Sequence, residues 1–518
     1  MSRRLLSASV AASVLLLGWL AGRASAEGAW SPFPWETVSY DDPQPPAPAN
    51  PPATPDQPPQ PPGSSSPRPG LTEDVRTPPV PTGAPAGPPF SLTWGGQYRM
   101  LPNASNFPFQ PATIAGTQQD QWFVNQRMRL WASVNPNDHV EGYIQFQVGG
   151  FNWGDNTEFP KTFVGFFSPP GDTLGIELRR GWVAYTDEDW GKARVGILDW
   201  HDRFGDTMAS SDYEFDVAGV DWTVTVKDLN DLKLIFGAFQ LSDLPLITTI
   251  ASTPGSHTSD LFTVDGDLPI EEKSSIGASA YFLVDHGDYS YPTFAPYGES
   301  WDMWFGLRGK TDLGDALPLN GFVLLNTGER TDTGGVTVFR HTGWAGKAEA
   351  GPLPIGPGKF SAQALASTGS SHPGVGDDDE FRTLAQTYRD NFGSQGYWSY
   401  LYLTSPNGPA DVNDLGVSLQ NRGFGLMTVQ AKYDTPLTCK LTSTEAAGWL
   451  SSTARNPTSN ACYMGTELAQ QFTYDFGGGL KLDTGFAYLF TGDFYRPTPT
   501  GPTPHNLYEI FARLQLEF

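Results

Sequence analysis

The chain has little sulfur and a deficit of positive charge. Two cysteines, Cys439 and Cys462, occur in 518 residues. That excludes a disulfide-dense secreted scaffold and a cysteine-rich metal module. Lysine and arginine together number 32 against 56 aspartates and glutamates, a formal charge of −24. Residues 1–26 hold Arg3, Arg4 and Arg23 and no acid, so their removal takes the charge to −27. So negative a chain is not built for nucleic acid. Beyond residue 26 no apolar run approaches the ~18 residues that a spanning helix needs. The seven histidines belong to no H-E-x-x-H motif, and no G-x-S-x-G elbow or glycine-rich phosphate loop accompanies them. His201 in "DWHDRFGD" (199–206) stands between carboxylates, and that segment reads as a solvated loop. The expectation is no enzyme, no catalytic residue, no metal and no cofactor.

What is present is unevenly distributed. "MSRR" is a basic start, "LLSASVAASVLLLGWLAG" an apolar stretch, and Ala24-Ser25-Ala26 a small-residue cleavage site. Residues 1–26 therefore read as a signal peptide, which implies export. Residues 27–89 follow as a proline-rich arm, with 19 of the 46 prolines between 43 and 89. This composition cannot bury a core and favours extended, disordered chain. On the periplasmic side such an arm is either a spacer or a contact to peptidoglycan.

From Phe90 to Phe518 the texture is different. Segments of about ten residues alternate apolar and polar, the period-two pattern of a wall between lipid and water. In "QWFVNQRMRLWASV", Trp122, Val124, Met128 and Leu130 fall on one face, and Asn125, Arg127, Arg129 and Ser133 on the other. After the "NPND" turn, Val140, Ile144, Phe146 and Val148 alternate with Glu141, Tyr143, Gln145 and Gln147. Short turns and long loops then alternate to the end. The expected fold is all-β: an antiparallel transmembrane barrel of about 18 strands, both termini on one side. The weakest segments are 259–266 and 413–420, and losing a hairpin gives 16. High aromatic content, 13%, suits rings at a membrane interface. The stretch 436–463 reads as one long loop. In an oxidising compartment its two cysteines, Cys439 and Cys462, are expected to pair, stabilising the loop by roughly 3 kcal/mol.

Three stretches carry a family likeness. "YMGTELAQQFTYDFGGGLKLDTGFAYLFTGDFY" (463–495) ends in F-x-G-D-F after a G-x-E strand start. "NQRMRLWASVNPNDHVEGYIQFQVGGFNWGD" (125–155) has an R-x-R-L strand, an N-D turn and a W-G loop, and "IELRRGWVAY" (176–185) fits the next strand. Together they resemble the alginate-export family of outer-membrane porins. The resemblance implies an 18-stranded barrel, a monomer, and a pore whose arginines and lysines pass an anionic polysaccharide.

Alternation places the following basic residues inward: Arg99, Arg127, Arg129, Arg179, Arg194, Arg308, Lys432, Lys481 and Arg513. It also places acids inward, among them Glu141, Glu177, Glu467 and Glu509, and structural pairing with the cations competes with a role in the pore. Arg127, Arg129, Arg179 and Arg194 match positions that are basic in the resembling family. The last segment, "NLYEIFARLQLEF", alternates to its end, and its terminal Phe518 reads as the signal that barrel-assembly machinery recognises. The expected protein is an integral outer-membrane porin in a Gram-negative type of envelope. It passes hydrophilic or saccharide solutes and touches lipid, the assembly machinery and, through the arm, the cell wall. The alternative is a non-conducting structural or adhesive barrel.

Overall fold

A computed structural model describes residues 90–107, 120–152, 176–209, 217–241, 259–285, 297–313, 317–332, 335–374, 376–384, 398–404 and 415–518. The expected leader and proline-rich arm lie outside the described residues. Thirteen strands come first: β1 (Ser91–Ser105), β2 (Gln121–Asn135), β3 (Val140–Asn152), β4 (Ile176–Asp187), β5 (Gly191–Leu198), β6 (Val217–Val226), β7 (Leu232–Leu241), β8 (Ser259–Glu271), β9 (Ser274–Asp285), β10 (Tyr297–Leu313), β11 (Leu317–Asp332), β12 (Thr337–Ile355) and β13 (Gly358–Ser367). The short β14 (Gly376–Asp378) precedes β15 (Met427–Pro436), β16 (Leu441–Asn456), β17 (Ala461–Gly477), β18 (Leu480–Thr491) and β19 (Leu507–Glu517).

Each wall strand pairs antiparallel with its neighbour in sequence, except that β13 pairs directly with β15. β14 lies parallel to residues 339–341 of β12 and is no part of the wall. The wall therefore has 18 strands. It closes where β19 meets β1, with Arg99 opposite Gln515 and Asn103 opposite Phe511. Gly96 and Phe518 exchange two backbone hydrogen bonds, of 2.8 and 3.0 Å. Closure leaves no free edge, which is what lets a sheet stand in hydrocarbon.

The outer face is apolar where the alternation predicts it. Phe305 and Leu307 on β10 stand beside Leu325 and Val323 on β11, all exposed. On β19, Ile510 is 56% exposed while its neighbours Glu509 and Phe511 are buried inside. A continuous apolar band around a closed barrel has no stable place in water. With its strand lengths and inward polar face, it is the build of an integral outer-membrane barrel.

The count of 18 is right, but two of its parts are not. Residues 415–420 form no strand; they fold inward, with Leu415, Val417 and Leu419 buried. Their alternation is real, yet alternation reads alike for a wall strand and for a segment packed inside the wall. The missing member is β16, inside the expected loop 436–463. Its outward positions Ser443 and Glu445 are polar, so the lipid signal is weak. Both find a local partner, since Gln470 on β17 donates to Ser443 (2.7 Å) and to Glu445 Oε1 (3.0 Å). The expected long loop near 329–337 is likewise only a turn between β11 and β12.

β16 also removes the expected disulfide. Cys439 sits in the turn before it and Cys462 at the start of the strand after it. A strand of 16 residues separates them, on the order of 50 Å at 3.3 Å per residue. A disulfide needs Cα atoms within about 7 Å. Both cysteines are free thiols.

Candidate functional site

The inner wall is where the chemistry collects, and its charged residues fall into two groups. The first lies on β1 and β2. Arg99 and Arg127 are directly opposed across these strands. Arg99 Nη2 donates to Asn125 (3.0 Å), Arg127 Nη2 to Gln97 (3.3 Å), and Arg129 Nε to Gln147 on β3 (2.8 Å). Arg129 has no carboxylate within ion-pair distance among the described residues. Arg179 faces the same way from β4 at a register shift, where Arg180 is the partner of Gln145. Arg180 was not expected on this face; a one-residue bulge brings both arginines to it. Glu177 stands opposite Gln147.

The second group is cation against carboxylate. Arg194 lies between Asp221 (Nε to Oδ1 3.0 Å) and Asp199 (Nη1 to Oδ1 2.7 Å). Lys192 meets Glu141 at 2.9 Å, Arg308 meets Asp267 at 3.0 Å, Lys432 meets Asp434 at 3.2 Å, and Arg513 meets Asp483 at 2.8 Å. Lys481 is paired in register with Asp475. Glu509 accepts from Asn103 across the closing seam. Arg194–Asp221 and Arg513–Asp483 join adjacent strands, Lys192–Glu141 and Arg308–Asp267 each reach across an intervening strand, and Lys432–Asp434 lies within β15. An aromatic stack lies between the two groups. Trp131 stacks on Tyr143 (6.4 Å) and Tyr143 on Trp182 (5.3 Å), and Lys192 and Arg194 cap Trp182, each 5.5 Å from its ring.

The lumen at this level is packed. Arg99, Arg127 and Arg179 are at most 1% exposed, and Glu467 and Glu509 are fully buried. Among the segments that fold into the barrel, two carry much of the apolar packing there. Residues 199–209 lay Trp200 against Phe239 and Tyr281, and Phe204 against Phe322, reaching across β7, β9 and β11. Expected as a solvated loop, this segment is instead built around one carboxylate. Asp202 accepts the backbone N–H of Phe204 (2.7 Å), Met208 (2.6 Å) and Ala209 (2.9 Å). Burial, with Asp206 close by, pushes the Asp202 carboxyl up to about 7. The wall makes room at Gly306, where a Cβ would come within 2.1 Å of the Phe204 ring.

The second segment is 398–404. Gln363 and Gln430 hold its start, with Gln430 Oε1 accepting from Tyr400 N (2.8 Å). The Tyr400 hydroxyl donates to Glu349 on β12 (2.6 Å). Glu467 on β17 accepts three consecutive backbone N–H groups, from Tyr402 (2.8 Å), Leu403 (2.9 Å) and Thr404 (2.9 Å). The Tyr402 hydroxyl donates to Gln471 (2.8 Å), and its ring meets Phe511 edge-on. Glu467 thus faces inward as expected, but its carboxylate holds protein. The signal that would have found both segments is a lumen-facing glycine opposite a bulky inward residue, as Gly448 lies opposite Leu401.

No family model matches the chain, and no curated protein does. The alginate-export resemblance rests on its motifs alone. Among solved structures, the chain is similar to OpdQ from Pseudomonas aeruginosa at 11% identity, covering 82% of this chain and 98% of that one, with a TM-score of 0.49. OccAB1 from Acinetobacter baumannii matches at 12% identity over 82% and 97%, TM-score 0.49. A BenF-like porin from Pseudomonas fluorescens Pf-5 matches at 12% over 82% and 98%, TM-score 0.47. The strand count and closure stand on this chain's own hydrogen-bonded register.

Proposed function

We propose that the protein is an outer-membrane channel for passive passage of small hydrophilic solutes, with a preference for anions and anionic saccharides as the candidate class. The observation that supports this most is Arg129 on β2, whose Nε donates to the amide of Gln147 (2.8 Å) and which has no carboxylate within ion-pair distance among the described residues. An amide orients a guanidinium without neutralising it, and a charge kept un-neutralised in a narrow lumen biases which ions enter. Lys192, Arg194, Arg308, Lys432 and Arg513 meet carboxylates and add little net field. In this reading Arg129 supplies the field that acts on the permeating solute, while Arg194, Arg308 and Arg513 tie strands of the wall together.

The experiment is conductance of the purified, folded protein in planar bilayers under a salt gradient. Arg129→Ala is expected to lower the anion-to-cation permeability ratio and to leave the barrel folded. An unchanged ratio removes the arginine part of the reading; absence of channels from folded wild-type protein removes the channel. One observation favours a second reading, a non-conducting barrel with a structural role: the burial of inward side chains by the two inward segments. The same bilayer measurement decides between the two.

A further inference from the structure

Segment 398–404 meets inward-facing residues of six wall strands, β12, β13, β15, β16, β17 and β19. It supplies little of its own backbone pairing. Its internal contact is one hydrogen bond from Leu401 N to Ser399 Oγ (3.0 Å), and it is backed by residues 415–417, where Leu415 N and Val417 N donate to the carbonyls of Leu403 (2.8 Å) and Thr404 (3.0 Å). The other N–H groups from Tyr400 to Thr404 are taken by the wall, and three of those four go to a single carboxylate, Glu467. A carboxylate facing three amide donors makes charge-assisted bonds, and few other single side chains can accept so many. Glu467 is fully buried and no cation is paired with it among the described residues. Its charge is answered by backbone dipoles of the segment, so the segment and the carboxylate need each other.

We propose that Glu467 is a positioning residue: it pins segment 398–404 against the inner wall and thereby sets the bore of the channel. The pin itself stands on the hydrogen bonds above; its effect on the bore rests on the channel reading. The pin lies between strands that meet the segment from both sides. Releasing it frees the Tyr402 ring from Phe511 and the Leu401 side chain from Gly448. The lumen beside β15 to β19 then widens.

Two measurements on the full, folded protein test this, and one does not need a channel. Trp398, Tyr400 and Tyr402 are chymotrypsin sites inside the segment. In wild type they are expected to resist digestion while the barrel keeps its heat-modifiable mobility. In Glu467→Gln an amide group replaces one acceptor oxygen and points donors at donors. The released fraction is expected to rise on the order of a hundredfold, from the loss of the Thr404 bond and of the charge that strengthens the other two. Cutting at 398–402, mapped by mass spectrometry in a barrel that is otherwise intact, is the supporting result. Single-channel conductance of the same variant is expected to rise, and Glu467→Asp, which keeps the charge, to restore part of the protection. Should Glu467→Gln fail to fold, Gly448→Val decides. A Cβ at 448 would sit 2.7 Å from Leu401 Cδ1 and 3.0 Å from Gln430 Cγ, so a valine there crowds the segment's Leu401 and the Gln430 that holds its start. A folded variant as protected as wild type overturns the pin. Protection lost with conductance unchanged overturns the bore claim alone. A silent wild-type barrel with a working pin sinks the channel and leaves the pin standing.

Discussion

The two inward segments solve the same problem by opposite means. Both bury aromatic and aliphatic side chains inside the barrel, and both must find partners for backbone groups that have left water. Segment 199–209 brings its own acceptor: Asp202 binds the N–H groups of residues two, six and seven positions later, and Thr207 donates to the Phe204 carbonyl (2.6 Å). It is a preformed knot that docks into a socket at Gly306, Tyr281 and Phe322. Segment 398–404 has almost no internal structure, and the wall shapes it together with residues 415–417. The contrast predicts that solution conditions acting on the knot's own carboxylate move the first, whereas substitutions in distant strands move the second.

Three further measurements would break or sharpen that contrast. The largest effect is expected from Asp202→Ala, which leaves three buried N–H groups without their acceptor. The cost is on the order of 3 kcal/mol or more. Chymotrypsin should then cut at Trp200 and Phe204 while Trp398 to Tyr402 stay protected. Loss of protection at both places would show that the segments are one unit and erase the distinction.

A smaller effect is expected from pH. The Asp202 carboxyl is raised to about 7 in the docked segment, against about 3.9 when solvated. The docked state therefore holds the proton better. Its extra stability is complete below about pH 4 and is lost as pH rises toward 7, by up to about 1.4 kcal/mol per unit. Hydrogen-exchange protection in 199–209, corrected for intrinsic rates, should be higher at pH 5 than at pH 7.5. In Asp202→Asn that difference should vanish. A wild-type profile flat across this window would mean that the carboxyl is not what couples the knot to pH.

The smallest effect is expected from reductant. With free thiols at Cys439 and Cys462, dithiothreitol should leave the unfolding temperature unchanged, and both sulfurs should react with a maleimide in unfolded protein without prior reduction. A bridge closing that stretch would instead have contributed about 3 kcal/mol.

How much of this was legible depends on which side of the wall a residue faces. Lipid offers one environment, so the outward faces of β2, β3 and β19 could be read off by period two. The arginines followed as lumen-facing by the same alternation. The lumen is not uniform, and there the period misleads. Leu415, Val417 and Leu419 alternate as a strand would, because the inside of the wall is also half apolar. β16 hides because Ser443 and Glu445 face outward and find their partner in Gln470, on a strand yet to come. "DWHDRFGD" looked solvated because its composition is that of a surface loop. Its burial is decided by a glycine at 306, about a hundred residues later. Which carboxylates pair with cations and which hold backbone, as Asp202 and Glu467 do, depends on three-dimensional neighbours that spacing does not encode.

The two thiols, finally, make the chain its own orientation marker. Cys439 lies in a turn at one rim and Cys462 beside the turn at the other, with a single wall strand between them. A membrane-impermeant maleimide offered to intact cells meets only one rim. Whichever cysteine it modifies names the rim that looks outward, with no tag inserted and no loop disturbed.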